Sequence, residues 1–503
     1  MVKHDSMVRR RRANSTINVQ RHAGPAPVGG RYAPLRPAEL ERICQSAFEI
    51  LGNIGLSGAS PELVGELVAA GAVRRSDDRI CFPRAMVEDA LARAPTRVEL
   101  PGFDVHQGLE IGGGSVHIGT GGAAVQVLDA ASSTYRESTL ADLHTLMRVV
   151  DASETIRYGV RPVVARDMKD PLALDINTAF ACLKATSKPI GVSFGDARNV
   201  QPVVDLFDTA LGGTGSFRRR PFCMGIIVHV VPPLRYAAEG VASLKVCLEA
   251  GLIPQICSAG QAGATSPVTL AGALAQGLAE SLAGLMLVDH FRKGGPCIYA
   301  LMPFVTDLRT GAMAGGGGEG AVANAAAAQL LKYVGLPSTV SAGMTDAKIA
   351  DVQAGFEEGH TIALAAQAGA DMINLSVGML GSIMVASPEA MVIDNDLCGA
   401  VLRAVRGVEV SEDALDLELI ERVVTGEGHY LGEAATLERM KTDFHYPGLA
   451  DRRSVDEWQE AGSPSIWDQA RTRVDEILRE PPSHLPREAE ARIRSTFPIQ
   501  LPE

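Results

Sequence analysis

The chain has 503 residues, 46% hydrophobic, 21% charged and 5% aromatic, with a formal net charge of −12. A chain of that size buries a core without disulfide or metal staples, and its acidic balance argues against a nucleic-acid partner. The eight cysteines form no C-x-x-C pair and most lie in apolar runs, so buried thiols in a reducing cytoplasm are expected rather than bridges or zinc.

In chain order, residues 1–36 read as a flexible tail rich in Pro, Gly and Arg. Its Arg9–Arg12 cluster is followed by no apolar h-region, so it is not a secretory signal. Residues 37–141 read as an α+β region. Leu40, Ile43, Phe48 and Leu51 have helical spacing, a second helix starts at Pro61, and Val98–Leu100 and Val116–Ile118 read as strands about a Gly-rich turn. From 142 to 400 short apolar runs alternate with helical segments, the signature of βαβ units. The candidate strands are Tyr158–Val164, Pro189–Phe194, Phe222–Val231, Ile253–Cys257, Pro296–Leu301, Ser338–Ser341 and Met372–Val377, with an eighth placed near Met391–Ile393. The fold class is therefore α/β, a closed (β/α)8 TIM-type barrel. An open doubly wound sheet is the runner-up, but no dinucleotide fingerprint supports it. Leu270–Val288 is apolar yet Gly/Ala-rich and carries Gln276 and Glu280, so it reads as a packed helix, not a membrane span. Residues 401–503 read as amphipathic helices and a polar arm that wraps the barrel or a neighbour.

In such barrels chemistry sits at the carboxyl ends of the strands. The stretch Leu336–Phe356 reads as strand, turn and helix, gathering Asp346, Lys348, Asp351 and Gln353 just past a strand end. Arg161, His229 and His360 are further polar candidates there, although His229, inside Ile226–Val231, is equally a hydrogen-bonded core histidine. Aromatic residues are scarce, so Phe194, Tyr299, Phe304 and Phe356 near strand ends stand out as a possible cation cage. Each alone is also an ordinary core filler. Ser–His–Asp order, H-E-x-x-H and the nucleophile elbow are all missing, which leaves hydrolase chemistry little support, and metal ligation is not expected. A lyase using Lys348 as a Schiff base is an alternative, but the neighbouring Asp346 and Asp351 count against a neutral amine.

Six stretches together resemble the trimethylamine methyltransferase family, the MttB superfamily. They are Val28–Leu35 (VGGRYAPL), His117–Leu143 (HIGTGGAAVQVLDAASSTYRESTLADL), Arg161–Met168 (RPVVARDM), Gly263–Leu285 (GATSPVTLAGALAQGLAESLAGL), Thr345–Glu357 (TDAKIADVQAGFE) and Tyr446–Gly462 (YPGLADRRSVDEWQEAG). The resemblance implies a barrel whose carboxyl rim docks a separate corrinoid protein, the cobalt of which, as Co(I), takes a methyl group from a methylated amine. It also implies a homo-oligomer. The resemblance places the corrinoid on that separate partner, so no tightly bound cofactor is expected on this chain. The archaeal trimethylamine enzymes carry pyrrolysine in the barrel, whereas this chain holds only standard residues. That points the resemblance toward glycine betaine and similar quaternary amines. On this reading Phe194, Tyr299, Phe304 and Phe356 form the cation cage. Arg161, His229, Gln353 and His360 orient polar groups, and Asp346 and Lys348 position the loop. A non-catalytic betaine-binding or corrinoid-partner barrel is the other alternative.

Overall fold

The computed structural model describes residues 26–502 apart from Ala131. The expected tail lies outside the described residues as far as residue 25, including Arg9–Arg12. From Ala26 onward the chain is packed: Val28 bridges to Ser115, and the Gly30 and Tyr32 amides donate to the Gln367 carbonyl. The described residues form two compact units, one of residues 408–445 and one of residues 26–407 with 446–502. In the first, the helices are Glu412–Leu415, Leu417–Thr425 and Ala434–Thr442.

In the second unit eight parallel strands close into a barrel in chain order. They are β1 (His117–Gly119), β2 (Ile156–Val160), β3 (Ile190–Val192), β4 (Cys223–Ile227), β5 (Ile253–Ser258), β6 (Ile298–Leu301), β7 (Ser338–Ser341) and β8 (Met372–Asn374). The helix that follows each is α1 (Leu140–Ala152), α2 (Pro171–Ala185), α3 (Val200–Ala210), α4 (Ala238–Ala250), α5 (Leu270–Phe291), α6 (Gly318–Tyr333), α7 (Val352–Ala368) and α8 (Pro388–Arg406). Seven strands lie where the sequence pattern puts them.

The eighth does not. Met391–Ile393 lies within α8, because Pro388 at the first helical position and the Ser387 side chain, accepting from the Ala390 amide, start a helix there. The strand that closes the barrel is β1, which lies in the segment read as the N-terminal α+β region. β8 pairs with it through Met372–His117 and Ile373–Ile118. Val116–Ile118 reads as a strand in the sequence, but its pairing with a strand about 250 residues on is not a local signal.

Strand alternation divides the core into a shell and a lumen. Outward side chains join the helices in one large cluster. Tyr158, Val160, Met224, Ile253, Ile298 and Met372 fill the lumen. The hairpin Val98–Leu100 with Leu109–Ile111 plugs its amino end, placing Val98, Leu100, Leu109 and Ile111 in that cluster. His117 Nε2 is 3.0 Å from the Glu110 carbonyl of the plug.

Among the described residues α5 is the one helix long and apolar enough to cross a membrane, and 89% of its apolar window is buried within the fold. Two of its glycines admit close neighbours. A Cβ at Gly277 would meet Leu301, and one at Gly284 would meet Ile256 and His229. The terminal arm is spent on its own barrel. Arg148 of α1 donates to the Ile477 carbonyl at 2.8 Å, Lys184 of α2 pairs with Glu490, and Asn177 of α2 exchanges hydrogen bonds with the Pro498 carbonyl and the Gln500 amide.

Candidate active site

The loops leaving the carboxyl ends of the strands build small sheets. Met379–Leu380 and Val385–Ala386, after β8, join Gln126–Asp129 and Thr134–Glu137, after β1. Gln261–Ala262, Phe304–Thr306 and Met313–Ala314 join the loops after β5 and β6. A carboxylate then locks loops together. Asp346 Oδ1 accepts from the Gly315 amide at 2.7 Å and from Ser382 Oγ at 2.5 Å, and Oδ2 from the Gly316 amide at 3.4 Å. One side chain thereby ties the loops after β6, β7 and β8. Glu357, buried on α7, holds the same turn from behind. Its Oε2 accepts from Thr345 Oγ1 at 2.5 Å and from the Asp346 amide at 2.8 Å. The Tyr135 hydroxyl adds the loop after β1 by donating to the Lys348 carbonyl at 2.8 Å.

The other sequence candidates separate. Lys348 is exposed and donates its Nζ to the Asp346 carbonyl, so it braces the loop and leaves a Schiff-base lyase without an enclosed amine. Gln353 is exposed and donates to Glu357 Oε1 at 3.0 Å, while His360 Nδ1 is 2.7 Å from the Phe356 carbonyl one turn back. Phe356 is itself 59% exposed on α7, outside any cage. Arg161 follows β2 directly, is half-buried, and forms no ion pair among the described residues. Burial disfavours its charge, with Asp175 on α2 opposing that effect. Asp175 Oδ2 is occupied by the Gly195 amide at 3.0 Å and Asn199 Nδ2 at 2.8 Å. Phe194 stands past β3, half-buried against the shell.

Two candidates face the wrong way. Ile298 and Ala300 point into the lumen, so Tyr299 between them points out into the shell, fully buried. His229 lies two residues beyond the outward Ile227 and joins that face. Its Nε2 donates to the Glu280 carbonyl of α5 at 2.9 Å, and burial pulls its pKa down to about 4. It is a neutral packing histidine, not a rim residue.

The lumen itself supplies what the sequence reading missed. A buried polar layer crosses it: the Tyr158 hydroxyl is 2.7 Å from the Ile373 carbonyl and 2.8 Å from Asn374 Oδ1, and Thr339 Oγ1 is 3.4 Å from Gln255 Oε1. Toward the carboxyl end follows an apolar cluster of Cys257, Ala300 and Met302, with Ile226, Phe304 and Leu375 half-buried against it. Burial pushes the Cys257 thiol up to about 11, which keeps it uncharged. Of the four expected cage aromatics, Phe304 alone belongs to this cluster. A single polar residue inside an apolar strand, as in Ile253-Pro254-Gln255-Ile256-Cys257 or Met372-Ile373-Asn374, was the available signal. Among the described residues no His, Cys, Asp and Glu cluster has the make-up of a metal site.

The trimethylamine methyltransferase (MTTB) family model matches residues 5–497. The trimethylamine methyltransferase MttB of Desulfitobacterium hafniense (strain DSM 10664 / DCB-2) is 30% identical over 477 residues, 94% of this chain and 95% of that protein. The glycine betaine methyltransferase of Desulfitobacterium hafniense (strain Y51) is 28% identical over 430 residues, 85% of this chain and 88% of that protein. Among solved structures, the Methanosarcina barkeri monomethylamine methyltransferase (MtmB) matches with a TM-score of 0.47 at 13% identity, covering 90% of this chain and 96% of that one. With a family model spanning nearly the whole length and a relative 30% identical over 94% of it, the chain belongs to the trimethylamine methyltransferase (MTTB) family and is a methyltransferase.

Proposed function

We propose that this methyltransferase takes its methyl group from a quaternary amine of betaine type, such as glycine betaine, and passes it to the Co(I) corrinoid of a separate corrinoid protein. The observation that carries the reading is the uncharged, apolar lining of Cys257, Ala300, Met302, Phe304 and Leu375 at the carboxyl end of the lumen. In the transfer the N–CH3 bond breaks and nitrogen keeps the electron pair, leaving as a neutral tertiary amine. The methyl carbon bonds to cobalt, which goes from Co(I) to methyl-Co(III). Nothing in that balance needs a proton, so a lining without a general acid is sufficient. Its work is to exclude water and to aim one methyl group along the barrel axis.

Phe304 presents an aromatic ring to a cation, and the Met302 thioether a polarizable neighbour. Arg161, with no ion pair among the described residues, suits a substrate carboxylate. The eight cysteines, all free and buried, suit a reducing cytoplasm.

The test mixes the protein with Co(I) corrinoid, free and protein-bound, and follows the absorbance with trimethylamine, glycine betaine, proline betaine, carnitine and choline. Formation of methyl-Co(III) with a betaine and not with trimethylamine is the expected result. Turnover of trimethylamine alone would overturn the substrate class. Betaine binding by calorimetry without any turnover would favour a non-catalytic binding protein.

A further inference from the structure

Leu375 is the residue directly after β8, and its φ is +62°. A leucine in the left-handed region is strained where glycine would be free, so a leucine held there implies that the side chain itself is wanted. Its neighbours hold it in place. Asn374 is engaged by the Tyr158 hydroxyl at 2.8 Å, and Ser376 Oγ donates to the Gly119 carbonyl of β1 at 2.6 Å. Gly121 leaves the room, since a Cβ there would lie 2.8 Å from Leu375 Cδ2. The outcome is a leucine thrown across the end of the lumen onto Cys257, Ala300 and Met302, half-buried beside Phe304.

We infer that Leu375 is a substrate-contacting, specificity-determining residue, the wall against which the methyl groups of a quaternary ammonium rest. The inference rests on the quaternary-amine reading above. A tetraalkylammonium spreads its charge over its methyl groups and presents no hydrogen-bond donor. It therefore fits a surface made of alkyl, thioether, neutral thiol and aromatic groups. The strained backbone fixes how far that surface reaches across the lumen, and so which size of onium group it accepts.

The test measures binding of tetramethylammonium chloride and glycine betaine by calorimetry, with thermal melting, for the wild type and for Leu375→Gly, Leu375→Ala and Leu375→Met. Leu375→Gly relieves the backbone while deleting the wall, so its Tm is expected at or near the wild-type value. Its onium affinity is expected to fall roughly tenfold to a hundredfold, the scale set by lost apolar pocket contacts. Leu375→Met keeps both strain and wall and should bind within about threefold of wild type. Unchanged affinity in both Leu375→Gly and Leu375→Ala would overturn the inference. So would affinity lost only in step with a falling Tm. A wild type that binds neither probe also overturns it, and the corrinoid assay then decides separately whether the methyl-transfer reading falls too.

Discussion

Neighbouring residues on one helix can meet opposite surroundings, as Glu357 and Glu358 of α7 show. Glu357 faces the loop turn and is fully engaged there. Glu358, about 100° further round, faces α8, where it meets Asp394 beside Cys398. Asp394 Oδ2 accepts from the Gly378 amide at 2.6 Å, which anchors the loop after β8. Burial drives the Glu358 pKa well up, helped by the repulsion of Asp394 and Glu357, and burial pushes Asp394 up to about 6. Both carboxyls therefore stay protonated in the fold at a pH where the unfolded chain has lost those protons. Their favourable contribution is complete below the unfolded pKa, at about pH 4. It fades as pH rises through the raised folded-state values, about 6 for Asp394. We expect Glu358→Gln to flatten this decline and to raise stability at pH 8 by ~1–3 kcal/mol. Melting curves from pH 4 to 9 on both proteins check this, and an unchanged slope would show that the pair does not titrate in that range. In the sequence Glu357 and Glu358 are adjacent and alike, because which helix packs on which face is not a local property.

At the scale of elements, the loops after β6, β7 and β8 act as one because Asp346 and Glu357 bind them to a single turn. Gly316 is the tightest point of that arrangement, where a Cβ would lie 2.3 Å from Glu357 Cδ. Gly318, two residues on, has nothing within 4 Å of the equivalent position. Gly316→Ala should push Glu357 out of register with Thr345 and the Asp346 amide, lowering kcat/KM about tenfold and stability by ~1–2 kcal/mol. Gly318→Ala should leave both within about 0.5 kcal/mol, as for an unhindered surface change. Steady-state kinetics with thermal melting on the pair separates loop geometry from a general effect of alanine in this Gly-rich segment. The TDAK turn was legible as a loop at a strand end, and its acidic residue does organise the loops. Its lysine, however, faces solvent. The Gly315–Gly318 run gave no sign in the sequence that its amides would bind Asp346.

Across the whole molecule the last residues act as a strap on the barrel's flank. Ala489, Ile493 and Leu501 are buried there, and Asn177 and Lys184 find partners in this segment. A chain ending at Pro486 would expose that strip of α2 and lose two large aliphatic burials, worth ~2–5 kcal/mol. We expect a Tm lower by several degrees with methyl transfer retained at low temperature, since the segment lies on the flank and not at the carboxyl ends of the strands. Differential scanning calorimetry and the corrinoid assay at two temperatures test it. An unchanged Tm would mean that these contacts do not persist in solution.

The sequence by itself determined the periodic content of the protein: the alternation of short strands with helices, seven strand positions, the packed character of α5, and the motifs that resemble one family. These are local or one-dimensional properties, written in spacing and residue type. The tertiary structure decided phase and closure. It recruited three residues at His117–Gly119 as the closing strand, turned His229 and Tyr299 out of the lumen, left Phe356 on the surface, and swung Leu375 inward through a left-handed backbone. A shift of one residue in a strand reverses every side chain on it, and what sets that phase is pairing with strands distant in sequence. The barrel could therefore be read from the order of its elements, while the lining of its lumen became visible only once the eight strands had closed on one another.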